Sequence, residues 1–310
     1  MQSKVFIYII RVLVLSLIAG FIVWNLQRTS KVSNIPFTEN QEEVVGEALE
    51  VVVSPLEIRQ GDPALITIKG LATTTVSSLI FNRKRVGVFN YEGRASALIG
   101  IDLRMSPGTY SLELNLSDGT KLEEKLVISP REIAQAPLGI PEKLGGNTTE
   151  SERELISTLV QEGALISAVS SADTKLWDGP FRLPLNPPIV VTDTYGYSRI
   201  TGASTISHKG TDFRAVIGTP VYAMNSGTVQ FTRNLRNYGN TIIIDHGLGL
   251  HTVYMHLSEI GVKLGQKVDK GEIIGKTGET GYVFGPHLHL TVRIGGISID
   301  PEKFLGLFGE

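Results

Sequence analysis

Two histidines stand two residues apart at His287-Leu288-His289. A histidine and an aspartate stand four apart at His208-Lys209-Gly210-Thr211-Asp212. On a strand, residues two apart point to one face, so His287 and His289 would project together while Leu288 turns to a core. In the second group Gly210, Thr211 and Phe213 argue against a helix. A turn leading into a strand can equally bring His208 and Asp212 to one point. A third element, Tyr254-Met255-His256-Leu257, reads as a strand on which His256 shares a face with Thr252 and Tyr254. Imidazole nitrogens and a carboxylate oxygen are donors that zinc takes. Three such ligands leave a fourth tetrahedral position for water, as in a catalytic rather than a structural site. A His-x-His pair alone is only moderately specific for metal or catalytic use, and a lone histidine such as His256 is usually structural. Their company raises their weight: all six histidines, at 208, 246, 251, 256, 287 and 289, fall in the last third of the chain.

Such residues need a rigid scaffold. After Trp177, short β-branched runs at 221–223, 228–232, 241–245, 252–256, 273–276 and 287–294 alternate with glycine-marked turns. No amphipathic helix is evident there, so 177–310 reads as a compact antiparallel β domain. Upstream, seven runs at 51–53, 65–68, 76–81, 85–89, 97–101, 110–116 and 121–128 are separated by turn residues, among them Pro107-Gly108 and Asp118-Gly119. They suit an Ig-like β-sandwich over 48–129. It holds no histidine and its acids are scattered, so it reads as a spacer or a surface that orients the catalytic domain. Residues 130–176 form a connector with a helix. Thr149-Glu150-Ser151-Glu152 fits a capping box in which Thr149 bonds the amide of Glu152 and Glu152 reaches back. Leu155, Ile156, Leu159, Leu165 and Ile166 give an apolar stripe that Gly163 interrupts.

The whole chain is thus expected to be mainly all-β, with one further helix at its start. Residues 5–24 are apolar and would span about 30 Å, a bilayer core. Arg11 lies near the amino-terminal end, where it can snorkel, and Trp24 would sit at the far interface. Residues 1–28 are read as a cytoplasmic tip and transmembrane anchor, and 29–47 as a polar linker. The rival is a cleaved signal peptide, but Leu17-Ile18-Ala19 is a poor cleavage site. The expected location is the cell membrane, single-pass, with the catalytic domain outside the cytoplasm (secreted if the segment is cleaved).

With 19% charged residues and a net charge of -2, the chain offers no clustered basic surface for nucleic acid. It has no cysteine, which excludes disulfides, thiolate zinc sites and cysteine nucleophiles. Any metal must be held by histidine and carboxylates.

From Trp177 to Phe304 the motifs run in a recognisable order. They are Tyr195-Gly196-Tyr197-Ser198-Arg199, His208-Lys209-Gly210-Thr211-Asp212, Gly218-Thr219-Pro220-Val221, Gly239-Asn240 and Asp245-His246-Gly247. Tyr254-Met255-His256-Leu257, a glycine-spaced turn from Gly265 to Gly275, and Gly285-Pro286-His287-Leu288-His289 follow. The segment resembles the lysostaphin-like, or LytM-type, zinc peptidases that cut peptidoglycan peptides. The clearest departure is Tyr195, where phenylalanine is common. The resemblance implies Zn2+ on His208, Asp212 and His289, with His256 and His287 catalytic beside the metal-bound water. It implies that Arg199 and Tyr195 line the cleft and leaves His246 and His251 structural. The implied activity is endopeptidase cleavage of peptidoglycan cross-links, with a regulatory partner unknown. The alternative is a catalytically silent relative that binds cell wall or activates an amidase. Such relatives lack one or more of these histidines, which this chain keeps. Residues 265–275 also resemble the hammerhead of biotinyl and lipoyl carriers, without the modifiable-lysine hairpin those carriers need.

Overall fold

The computed structural model describes residues 48–71 and 74–308. The expected membrane anchor (1–28) and linker (29–47) lie outside the described residues. Among the described residues no helix is long and apolar enough to cross a membrane. The protein is mostly β with few helices, and Gly46–Glu310 gathers into one compact unit.

Nine strands come first: β1 (Glu50–Ser54), β2 (Ile58–Arg59), β3 (Pro63–Lys69), β4 (Val76–Phe81), β5 (Lys84–Val86), β6 (Val88–Tyr91), β7 (Arg94–Gly100), β8 (Gly108–Leu116) and β9 (Lys121–Ser129). They form two sheets, ordered β1-β3-β7-β6 and β2-β9-β8-β4-β5. Lettered along the chain, these read A-B-E-D and A′-G-F-C-C′, a strand order shared with immunoglobulin sandwiches. Ile66, Ala97 and Ile99 of one sheet meet Leu79, Leu112 and Ile128 of the other in one buried core. Leu65 and Leu98 point the opposite way along β3 and β7 and are buried as well, in the core of the following β domain. Burial on both faces explains why 65–68 and 97–101 read as continuous apolar runs. The run at 85–89, expected as one strand, is two. β5 pairs with β4, β6 pairs with β7 in the other sheet, and the chain crosses between sheets at Gly87.

The connector contains β10 (Gln135–Pro137) and helix α1 (Thr149–Ser167). The helix is capped one residue earlier than expected: Thr148 Oγ1 accepts from the Ser151 N–H at 3.1 Å. Glu152 does not reach back. Its carboxylate accepts from the Ala203 N–H and the Ser204 hydroxyl, both at 2.9 Å. Gly163 lies within the helix without ending it, and of the expected stripe Leu155 and Ile166 are buried while Leu165 is exposed.

The remaining elements are β11 (Val191–Asp193), β12 (Ser198–Thr201), β13 (Ser204–Ser207), β14 (Thr211–Arg214), β15 (Pro220–Tyr222), β16 (Gly227–Leu235), β17 (Gly239–Gly247), β18 (Leu250–Leu257), β19 (Glu259–Ile260), β20 (Lys267–Val268), β21 (Ile273–Lys276), β22 (His287–Ile294), β23 (Ile297–Ile299) and helix α2 (Pro301–Leu307). The main sheet runs β11-β14-β22-β18-β17-β16-β20, with β23 also on β22. On one face Ile242, Ile244, Tyr254, Leu288, Leu290 and Val292 share a core with Ile274, Phe304 and the sandwich's Phe89. On the other face Ile243, Val253 and Met255 pack with Ile166 of α1. Helix α2 departs from the all-strand expectation for this part of the chain. Asp300 caps it, accepting from the Glu302 and Lys303 N–H groups, and Pro301 opens its first turn. A capping aspartate followed by proline is a helix-start signal.

Candidate metal centre

Strands β14 and β22 pair antiparallel, with Asp212 opposite His289 and Arg214 opposite His287. Paired residues share a face of the sheet, and so do residues two apart. Asp212, His287 and His289 therefore lie together, opposite the core that holds Leu288 and Leu290. His208 arrives from the loop before β14. Its N–H donates to the Tyr197 carbonyl at 2.7 Å and its carbonyl accepts from the Gly196 N–H at 2.8 Å. Gly210 lets this loop close over His289. A Cβ at Gly210 would clash with the Leu290 carbonyl and lie 2.5 Å from His289 Nε2. Gly210→Ala is therefore expected to weaken metal binding by about ten- to a hundredfold, the range for displaced supports of a ligand. Chelator competition reads this directly, and an unchanged affinity would mean that the loop can yield.

His256 reaches the same place by a distortion that strand alternation does not foresee. Alternation puts it on the face of Tyr254. The register shows Asn240 opposite Leu257 but Ile242 opposite Tyr254, so Met255 and His256 together stand against one residue of β17. This is a β-bulge, which re-aims side chains. His256 has φ 63°, a left-handed conformation that costs a non-glycine residue about 1–2 kcal/mol. Beyond the bulge Leu257 rejoins Tyr254 in the core. The His256 ring is carried to the other side, its centroid 5.0 Å from that of His287 and 5.8 Å from that of His289.

His208 Nε2 lies 3.0 Å from Asp212 Oδ1 and 3.0 Å from His289 Nδ1, and the last two atoms are 2.7 Å apart. All three residues are buried. The outer nitrogens fix where each proton sits. His208 Nδ1 is 2.9 Å from the Thr194 carbonyl, which can only accept, so Nδ1 carries the hydrogen and Nε2 the lone pair. His289 Nε2 is 3.0 Å from Thr291 Oγ1, whose hydrogen goes to the Lys209 carbonyl at 3.0 Å. The His289 hydrogen is thus on Nε2 and its lone pair on Nδ1. His256 and His287 likewise turn Nδ1 to carbonyls, of Thr280 at 2.8 Å and Gly285 at 2.9 Å. Their Nε2 atoms are left basic.

Two imidazole lone pairs and a carboxylate oxygen thus converge with no hydrogen between them. Such a cluster repels itself unless a cation sits among its members, and its two nitrogens and one oxygen are donors that suit a metal ion. Arg199 Nη2 donates to Asp212 Oδ2 at 2.9 Å and to Asp193 Oδ2 at 3.0 Å, holding Oδ1 toward the histidines. Burial pushes His289 down to about 4 against the pull of Asp212. Burial, then the charges of His287 and His289, hold His256 well below the ordinary imidazole value. Each shift favours the form that binds metal or accepts a proton.

Tyr195, expected in the cleft, is elsewhere. It is buried, its hydroxyl donates to the Ser298 carbonyl at 2.7 Å, and its ring faces Gly61 of the sandwich. His251 lies apart from the cluster, with Nε2 3.1 Å from the Ser170 carbonyl. His246 is also apart, fully buried with Nδ1 2.8 Å from the Ser226 carbonyl and Nε2 2.8 Å from Thr252 Oγ1. Burial lowers its pKa to about 4. The unfolded chain, with an ordinary value near 6.5, binds the proton first as pH falls. Stability from this group is therefore complete above about 6.5 and drains away toward 4, a loss of about 3 kcal/mol. Imidazole NMR should find His246 still neutral at pH 5; a ring titrating near 6.5 would contradict this.

Residues 206–301 match the model of Peptidase family M23. The chain carries a peptidase M23 domain. All five residues of the cluster and its flanking histidines fall inside the M23 match. The peptidoglycan DD-endopeptidase ShyA of Vibrio cholerae is 49% identical over 96 residues, covering 31% of this chain and 22% of ShyA. The peptidoglycan DD-endopeptidase ShyB of the same organism is 34% identical over 169 residues, covering 51% of this chain and 39% of ShyB. The chain thus spans less than two fifths of the length of either relative. A crystal structure from Pseudomonas aeruginosa, assigned to peptidase M23, aligns with a TM-score of 0.61 at 27% identity. That alignment covers 81% of this chain and 96% of the other, so the likeness runs well beyond the M23 domain.

The groups that orient these imidazoles were not foreseen in the sequence. The carbonyls of Thr194, Thr280 and Gly285 carry no side-chain signal. Thr291 did carry one, since it follows His289 by two and shares its face.

Proposed function

We propose that this M23 domain is a zinc-dependent endopeptidase that hydrolyses peptide cross-links of bacterial peptidoglycan. We further propose that residues 1–28 tether it to the cytoplasmic membrane with the site outside. The observation that carries the hydrolytic reading is a surplus of base. His208, Asp212 and His289 suffice to hold an ion, yet His256 and His287 set two more imidazole rings beside them, each with Nδ1 turned to a carbonyl and Nε2 free of hydrogen. A site that only binds metal has no use for these. The peptidoglycan substrate is supported by the names of ShyA and ShyB.

Zinc held by His208 Nε2, Asp212 Oδ1 and His289 Nδ1 would supply a Lewis acid and a water with its pKa brought toward about 7. His287 is the more exposed of the two remaining histidines, and its Nε2 takes the proton from the attacking water. The Gly285 carbonyl accepts from its Nδ1–H and steadies the imidazolium that forms. His256 is held neutral by burial until negative charge develops on the substrate oxygen. As that charge develops, Nε2 takes up a proton from solvent and donates it to the oxyanion, and the proton held on His287 passes to the leaving amine nitrogen as the C–N bond breaks. Arg199 keeps the Asp212 carboxylate in place throughout.

The test is digestion of purified sacculi by the full chain. Zinc-loaded protein should release soluble peptide, stop with a chelator and resume when zinc is restored. Stoichiometric zinc with no released peptide would contradict the proposal and favour a wall-binding or amidase-activating module.

A further inference from the structure

We propose that Arg131 is a positioning residue for the metal centre, acting through Tyr195 on the turn that holds His208. The docked sandwich then helps to determine how well the metal binds. This rests on the proposal that the centre takes zinc.

Arg131 follows the last sandwich strand and is largely buried, its side chain 15% exposed. Its guanidinium is engaged from three directions. Nε donates to the Gln60 carbonyl at 2.7 Å, and Nη2 donates to Asp62 Oδ1, both in the β2–β3 turn of the sandwich. Nη1 and Nη2 each donate to Asp300 Oδ2 at 3.0 Å, at the cap of α2. The third partner is aromatic: the guanidinium carbon lies 5.3 Å from the Tyr195 ring centroid. Arg131 Cδ also lies 3.3 Å from where a Cβ on Gly196 would be. Gly61 completes the clamp, because a Cβ there would overlap the Tyr195 ring. Both Gly61 and Gly196 have positive φ, 83° and 86°, and both give way to this one contact.

Tyr195 is the centre of the turn that carries His208. Residue 194 before it accepts the His208 Nδ1–H at 2.9 Å. Residue 196 after it donates its N–H to the His208 carbonyl, and the Tyr197 carbonyl accepts the His208 N–H. Three bonds on one metal ligand thus come from a turn whose middle side chain is gripped between the sandwich and Arg131. The Thr194 bond fixes the tautomer that presents Nε2. If the grip loosens, the turn can shift and Nε2 loses its aim. A guanidinium suits this place because it is planar, stacks on an aromatic ring and serves several acceptors at once.

The experiment measures zinc affinity by chelator competition on the full 310-residue chain. Arg131→Met and Tyr195→Leu are each expected to bind zinc about ten- to a hundredfold more weakly than the parent. Arg131→Lys, which keeps the charge but not the fork, should fall between. Leu112→Ala is the control. It lies in the sandwich core away from the clamp, so it should lower the unfolding temperature and leave zinc affinity within about twofold. Arg131→Met strands two buried carboxylates and can fail to fold. Tyr195→Leu leaves every ion pair in place and then decides alone. Zinc affinity within twofold of the parent in Tyr195→Leu would overturn the proposal. A parent that binds no zinc would overturn it together with the zinc reading; a parent that binds, with unchanged variants, would overturn only the coupling.

Discussion

Replacing His289 by alanine is expected to abolish zinc binding and hydrolysis together. His289 Nδ1 stands within 3.0 Å of both other ligand atoms, so its loss opens one side of the cluster. The remaining His208 and Asp212 offer two donors, one fewer than a catalytic zinc site uses. Metal catalysis is worth several kcal/mol of transition-state stabilisation, so the rate should fall by about a thousandfold or more. Folding provides a second readout. A ligand that binds only the native state adds about 4 kcal/mol of stability at a thousand times its dissociation constant. The parent should therefore melt higher with zinc, and His289→Ala should not. A zinc-dependent rise in the variant would remove His289 from the ligand set.

His287→Ala should separate the two properties. His287 Nε2 lies 3.8 Å from Asp212 Oδ1, beyond hydrogen-bond reach and outside the tight cluster of ligand atoms. Its removal should leave zinc affinity near the parent's. Loss of a positioned general base costs about 10²–10⁴ in rate. Hydrolysis should fall by that amount with zinc still bound at parental affinity, as measured on one preparation. Near-full activity in His287→Ala would transfer the base to His256 or to neither.

These two variants rest on residues that the sequence made visible to different degrees. His287 and His289 follow from period two on a strand, which needs no tertiary information. Asp212 could be suspected from its spacing to His208, but its place opposite His289 depends on the register of β14 against β22. Register is a long-range property. His256 lay further from view, since one extra residue in β18 moves it to the opposite face and no sequence pattern announced that bulge. Tyr195 shows the converse. Its motif was legible, yet its side chain is drawn into a contact with Gly61 and Arg131, residues more than sixty positions upstream. In the sandwich, the Asp118-Gly119 turn was readable because glycine supplies the φ of 90° that the turn requires. The break at Gly87 was not, because the residues on either side look like one strand and only pairing distinguishes two. Thr148 and Thr149 are chemically alike as caps, and the structure alone shows which hydroxyl faces the helix amides.

The most direct test follows the covalent bonds of the substrate. Cross-linked dimeric muropeptides should be incubated with the zinc-loaded chain and analysed by mass spectrometry. Conversion of dimers to monomers with the gain of one water per cross-link is the expected result. Dimers that persist while zinc remains bound stoichiometrically would contradict it.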